Sequence, residues 1–174
     1  YDMWYTGDNT RIGHARSGDG IHWVKTPEAV VDIGPSTWDE GWVANPTVLG
    51  PDSNGGFTMW FQGANRHRVQ FQLGYASGRG ATAWTKHGDA ILGPGGEGSW
   101  GEHGLHSPTV LRTGNRYEMW YTGESEGWHR YRVGYAVSGD GIHWTKSSDN
   151  PVLPLGQAGS WDSEAAFTGD VSFD

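Results

Sequence analysis

Cysteine is absent from the chain, which excludes disulfides and thiolate metal sites and leaves the redox compartment open. No apolar run approaches the roughly 20 residues that a membrane-crossing helix needs, so a soluble protein is expected, with its localisation unknown and secretion left open. Basic residues are scarce: 12 Lys and Arg stand against 20 Asp and Glu, for a net charge of −8. That balance argues against a nucleic-acid backbone as partner. It fits a neutral ligand such as a sugar, and it equally serves solubility. Hydrophobic residues make up only 35% of the chain, so a core must draw on large aromatics and on backbone pairing. Helical periodicity is missing too. What is plentiful is glycine, with 29 residues, and tryptophan, with 11.

The tryptophans repeat. Tyr1-Asp2-Met3-Trp4-Tyr5-Thr6-Gly7 returns as Phe57-Thr58-Met59-Trp60-Phe61-Gln62-Gly63 and again as Tyr117-Glu118-Met119-Trp120-Tyr121-Thr122-Gly123. An interval near 60 residues with aromatic-rich strands reads as a propeller or another repeat array. A second part, from Ile12-Gly13-His14-Ala15 to Trp23, matches Leu73 to Trp84 and Val133 to Trp144. It reads as a strand, a tight turn and the start of another strand, because glycine reaches positive φ freely and Asp closes its own turn. A third part is a short apolar stretch: Ala29-Val30-Val31, Ala90-Ile91-Leu92 and Pro151-Val152-Leu153. A glycine-rich loop follows and ends in Trp38, Trp100 or Trp161. The fourth part runs from Val43 to Leu49, from Leu105 to Leu111 and from Phe167 to Phe173. In register, Pro46 and Pro108 correspond to Gly169.

Four short strands per repeat predict an all-β propeller of three four-stranded antiparallel blades. One domain over 1–174 is expected, with repeats at approximately 1–42, 43–104 and 105–166 and an innermost closing strand at 167–174. That strand is able to complete the first blade by pairing with Tyr1–Gly7, and closure would remove exposed edges. Propellers usually have 4–8 blades. A homodimer joined head-to-tail, with Phe167–Phe173 of each chain on Tyr1–Gly7 of the other, would make a six-bladed ring. A strained three-bladed ring and a piece of a five-bladed enzyme are the alternatives.

These residues resemble the blades of the five-bladed propeller glycoside hydrolases of families 32, 43 and 68 and related phosphorylases. The stretch Gly13-His14-Ala15-Arg16-Ser17 through His22-Trp23 is similar to the invertase and levanase group. So is Trp161-Asp162 followed by Phe167-Thr168-Gly169-Asp170-Val171. The resemblance implies an axial pocket lined by the innermost strands, and three carboxylates acting as base or nucleophile, transition-state stabiliser and acid. In such enzymes two of them stand at or near a proline. Here those positions hold Asn45 and Ser107, which neither carry a negative charge nor donate a catalytic proton. This departure weighs against catalysis by the chain.

Glycoside cleavage needs two carboxyl groups flanking the bond. The candidates nearest the innermost strands are Glu40, Glu102, Glu164 and Asp170. Of these, Asp170, Glu102 and Glu164 are the catalytic candidates, and all also fit solvated loop acids. Candidate binding residues are Trp42 as a stacking face, with Asn45, His106 and Ser107. Trp42 and Trp128 lie outside the repeat. No cofactor is called for. A cation on the axis, held by His103, His106, Asn45 and Asp170, has weak support, since two histidines three apart are a poor metal signature. His22 and His143 share one repeat position and read as packing residues. Ser17 to Trp23 and Ser138 to Trp144 look like a shortened sialidase Asp-box, a fold device. Two functions follow: a carbohydrate-related, glycoside-hydrolase-like module, or a non-catalytic scaffold or remnant of a five-bladed enzyme.

Overall fold

A computed structural model of the chain describes residues 1–8, 10–36, 38–67, 70–125 and 130–173. Trp128 and Asp174 lie outside them. The described residues form twelve strands and no helix, and so hold no helix long and apolar enough to cross a membrane.

The strands fall into three successive groups. The first holds β1 (Asp2–Gly7), β2 (Arg11–Arg16), β3 (Val24–Lys25) and β4 (Val31–Asp32). The second holds β5 (Trp42–Leu49), β6 (Gly56–Ala64), β7 (Phe71–Arg79) and β8 (Ala83–Lys86). The third holds β9 (Gly104–Thr113), β10 (Arg116–Ser125), β11 (Arg130–Ser138) and β12 (Trp144–Lys146). Neighbours within a group pair antiparallel. The second and third groups meet at one parallel pair, Phe71 with Gly104.

The apolar stretches extend the outermost strand across a break. β3 and β4 share one edge of β2, and Leu92 and Leu153 repeat the arrangement as single bridges to Leu73 and Val133. Apolar residues on the facing surfaces of the groups form the core. One cluster (Ile12, Val43, Met59, Phe61) joins the first group to the second, and another (Trp60, Leu105, Met119, Tyr121) joins the second to the third.

The sheets do not close. Among the described residues no ladder joins the first group to the third. Residues 167–173, expected as a strand, form no ladder, and β1 takes its ladder from β2 alone. The segment lies against the third group instead. The Thr168 amide donates to Thr122 Oγ1 at 2.8 Å, the Ala166 amide to the Tyr131 carbonyl at 2.9 Å, and Thr109 Oγ1 to the Gly169 carbonyl at 2.7 Å. The physical reason is plain: a strand without a neighbouring strand has nothing to hold its pleat.

Two turns carry the Asp-box pattern. Asp19 Oδ1 accepts the amides of Ile21 and His22 at 2.9 and 2.8 Å, and Asp140 Oδ1 accepts those of Ile142 and His143 at the same distances. The other oxygens meet His22 and His143 Nδ1 at 2.7 Å. The bonds from the histidine rings first, then from the amides, hold both carboxyls well below the usual aspartate range. A depressed folded-state pKa contributes stability that is present above the unfolded value, near pH 4, and is lost as pH falls toward the folded one. Thermal unfolding between pH 7 and pH 2 should therefore show a smaller acid-induced fall in Tm for the Asp19→Asn/Asp140→Asn double variant than for the parent. Equal falls would contradict the assignment.

Tryptophans fasten one group to the next. The indole N–H of Trp4 donates to the Ala81 carbonyl at 2.9 Å, where Trp84 also donates at 3.0 Å. Trp60 and Trp144 share the Gly141 carbonyl in the same way, at 2.8 and 2.9 Å.

Candidate functional site

The innermost strands β5 and β9 are both interrupted. Their registers with β6 and β10 shift between Ala44 and Thr47 and between Thr109 and His106. Pro46 and Pro108 stand at the breaks, where a missing N–H is tolerated. The residues before them, Asn45 and Ser107, have φ of 52° and 46°. A pre-proline residue ordinarily prefers extended backbone, and bulges of this kind re-aim side chains beside functional sites. Both side chains are turned toward each other: Asn45 Nδ2 donates to Ser107 Oγ at 3.0 Å and to Gln62 Oε1 at 2.9 Å.

One position of the aromatic strand supports each break. Thr6 Oγ1 accepts the Asn45 amide at 2.9 Å, Gln62 Oε1 accepts the Ser107 amide at 3.2 Å, and Thr122 Oγ1 accepts the Thr168 amide. Gln62 is buried and stands where the other copies have threonine. Its longer side chain lets it reach both Asn45 and Ser107. That substitution is the visible signal that sequence reasoning passed over.

Glu124 is the other residue it missed. This carboxylate is buried, accepts the Tyr131 hydroxyl at 3.1 Å and lies 3.1 Å from His106 Nε2. Burial raises its pKa, but hydrogen bonding and charge from His106, with the Tyr131 hydroxyl, more than offset that and lower it overall. Glu124 is thus a charged acceptor at neutral pH. Its counterparts in the other repeats are Asp8 and Ala64, so no periodicity marks it.

The sequence candidates are dispersed. Asn45 and Ser107 meet, and His106 sits on Glu124 and against the Phe71 ring at 4.6 Å. Trp42 is half-buried and edge-on to Phe71 at 5.7 Å. Glu102 accepts the Gly98 amide of its own loop and lies 3.6 Å from His103 Nε2. Glu164 and Asp170 are exposed, and Asp170 accepts the amide of Val171 at 3.1 Å. Among the described residues no group of three or more His, Cys, Asp or Glu is arranged to hold a metal ion.

No family model matches the chain. Solved structures do. A family 117 glycoside hydrolase from the marine bacterium Zobellia galactanivorans superposes with a TM-score of 0.72 at 20% identity, over 84% of this chain and 44% of the other. A glycosyl hydrolase from Bacteroides ovatus gives 0.59 at 26% identity, over 82% and 41%. The β-1,2-mannobiose phosphorylase of Listeria innocua gives 0.66 at 12% identity, over 89% and 39%. The chain thus has the fold of propeller-type glycoside hydrolases and phosphorylases, and it spans less than half the length of these three proteins.

Proposed function

We propose that the chain is a carbohydrate-binding propeller module of three four-stranded blades that takes a neutral glycan at its axis and does not hydrolyse it. The observation that carries this reading is the cluster of Asn45, Gln62 and Ser107. Amide and hydroxyl groups at these positions, held by bulges and positive φ, offer donors and acceptors suited to sugar hydroxyls. Asn45 and Ser107 stand where the resemblance implies carboxylates. Cleavage needs a pair of carboxyl groups flanking one bond, and neither Asn45 nor Ser107 supplies one. Trp42 is the proposed stacking face and His106 a rim donor. The reading requires no cofactor. It includes a homodimer that completes a six-bladed ring. Fold alone does not carry an activity.

The second reading, hydrolysis through Asp170, Glu102 or Glu164, now has Glu124 as a further acid. A screen of oligosaccharides and aryl glycosides separates the two. Binding without turnover is expected, and Asn45→Ala and Ser107→Ala should each weaken it about tenfold, the scale of one hydrogen bond. Turnover abolished by Asp170→Asn would establish the hydrolase. Neither binding nor turnover would leave a scaffold.

A further inference from the structure

Three loops of one design follow the three groups. Each closes through a glycine amide bonded to the carbonyl of the residue after a tryptophan: Gly34 to Asp39 at 3.3 Å, Gly95 to Gly101 at 3.3 Å, and Gly156 to Asp162 at 3.2 Å. The first two tryptophans are seated on the following group. Trp38 lies on Gly63 and Gly74, stacks on Phe61 at 5.8 Å and donates its indole N–H to the Gly88 carbonyl at 3.0 Å. Trp100 lies on Gly123 and Gly134 and stacks on Tyr121 at 5.9 Å. Both glycines of each pair are needed, since a Cβ at any of the four would come within 3.0 Å of the indole. Trp38 is 9% exposed, whereas Trp161 of the third loop is 97% exposed. The third loop is formed, but its tryptophan projects into solvent.

The first group has the complementary property. Tyr5, Gly7 and Gly13 occupy the repeat positions of Phe61, Gly63 and Gly74, and among the described residues no tryptophan covers them. With Thr26, Pro27 and Glu28 they line a groove of about 500 Å³. Pro27 holds the place of Gly88, because the amides of Thr26 and His87 bond to the equivalent carbonyls of His14 and Tyr75. Charge matches as well. Asp39, beside Trp38, pairs with Lys86 at 2.5 Å. The corresponding residues are Asp162, beside Trp161, and Lys25, whose ammonium lies 5.3 Å from the centre of the Tyr5 ring.

We propose that Trp161 of one chain seats in the Tyr5–Gly7–Gly13 groove of a second copy. Asp162 then faces Lys25 of the partner subunit, and the Trp161 indole N–H meets the carbonyl of Pro27 of the partner subunit. Continuity with the two internal joins assigns the occupant. Trp4 and Trp60 bond to turn carbonyls of the following group. The next pair in that series is Trp120 with Gly20 of the partner subunit. All these contacts run in one sense, from the third group of one chain to the first of the next, a head-to-tail contact that builds a ring when its rotation closes. The inference rests on the repeat-unit and dimer reading above and not on its glycan part.

Light scattering over a concentration series tests it. The expected mass is twice that of the 19.0 kDa chain. Trp161→Ala should weaken association at least about tenfold, as a buried aromatic anchor does. Gly7→Leu should do the same by filling the groove. A Cβ at Gly7 meets only the Arg11 carbonyl oxygen within 4 Å, at 3.8 Å. Circular dichroism of both variants should match the parent. A monomer at every concentration, or a dimer indifferent to both Trp161→Ala and Gly7→Leu, overturns the proposal. So does burial of Trp161 by a further unit of a longer polypeptide while this chain stays monomeric. Each of these results leaves glycan binding standing.

Discussion

Gly74→Val is expected to destabilise the chain by about 3 kcal/mol or more, the upper range for overpacking a tight core. A Cβ at Gly74 would lie less than 3.0 Å from both the Trp38 indole and the Phe61 ring. Neither ring has room to move. Phe61 is fully buried, and Trp38 is fixed by its bond to the Gly88 carbonyl. For a chain of this size the corresponding fall in Tm is roughly 6–12 °C, readable by thermal or urea unfolding. Gly13 is the internal control. A Cβ there also meets a ring, that of Tyr5, but Tyr5 borders the open groove and can swing aside. Gly13→Val should therefore cost much less in the monomer. Equal losses at the two sites would mean that the tryptophan seat is not what demands glycine.

Trp60→Ala should cost about 3–5 kcal/mol, the range for truncating a buried large aromatic. Trp60 is fully buried between the second and third groups. Its ring meets Tyr75, Tyr117 and Trp144 at 5.6–6.4 Å, and its N–H reaches the Gly141 carbonyl. Trp120 sits in the same sequence motif, yet it is only half-buried and its ring contact is Tyr135 at 5.1 Å. Trp120→Ala should cost less than half as much when measured on monomer. Motif identity predicts equal costs, whereas position within the stack predicts unequal ones.

What could be read from the sequence was local. The Ser17 to Trp23 turn follows from residues two and three apart whose side chains close on nearby amides, and spacing alone reveals that. The aromatic strands follow from two-residue alternation. The site was less legible, because it is made across strands. His106 reaches Glu124 through the β9–β10 register after a bulge, and Asn45 reaches Ser107 from a neighbouring innermost strand. No spacing encodes either contact. Gln62 left a trace, as one departure from threonine, while Glu124 left none. The segment at 167–173 carries the pattern of a strand but lacks a ladder, since pairing needs a partner that pattern does not supply.

The central claim is that neutral polar groups at the bulged pre-proline positions bind a sugar. Amide chemical-shift mapping during titration with neutral oligosaccharides tests it most directly. The account predicts saturable shifts concentrated at Asn45, Gln62, Ser107 and His106, with the midpoint moved to about tenfold higher ligand concentration in Asn45→Ala. Shifts confined to the outer strands β3, β8 and β12, or no shifts with any glycan, would contradict it.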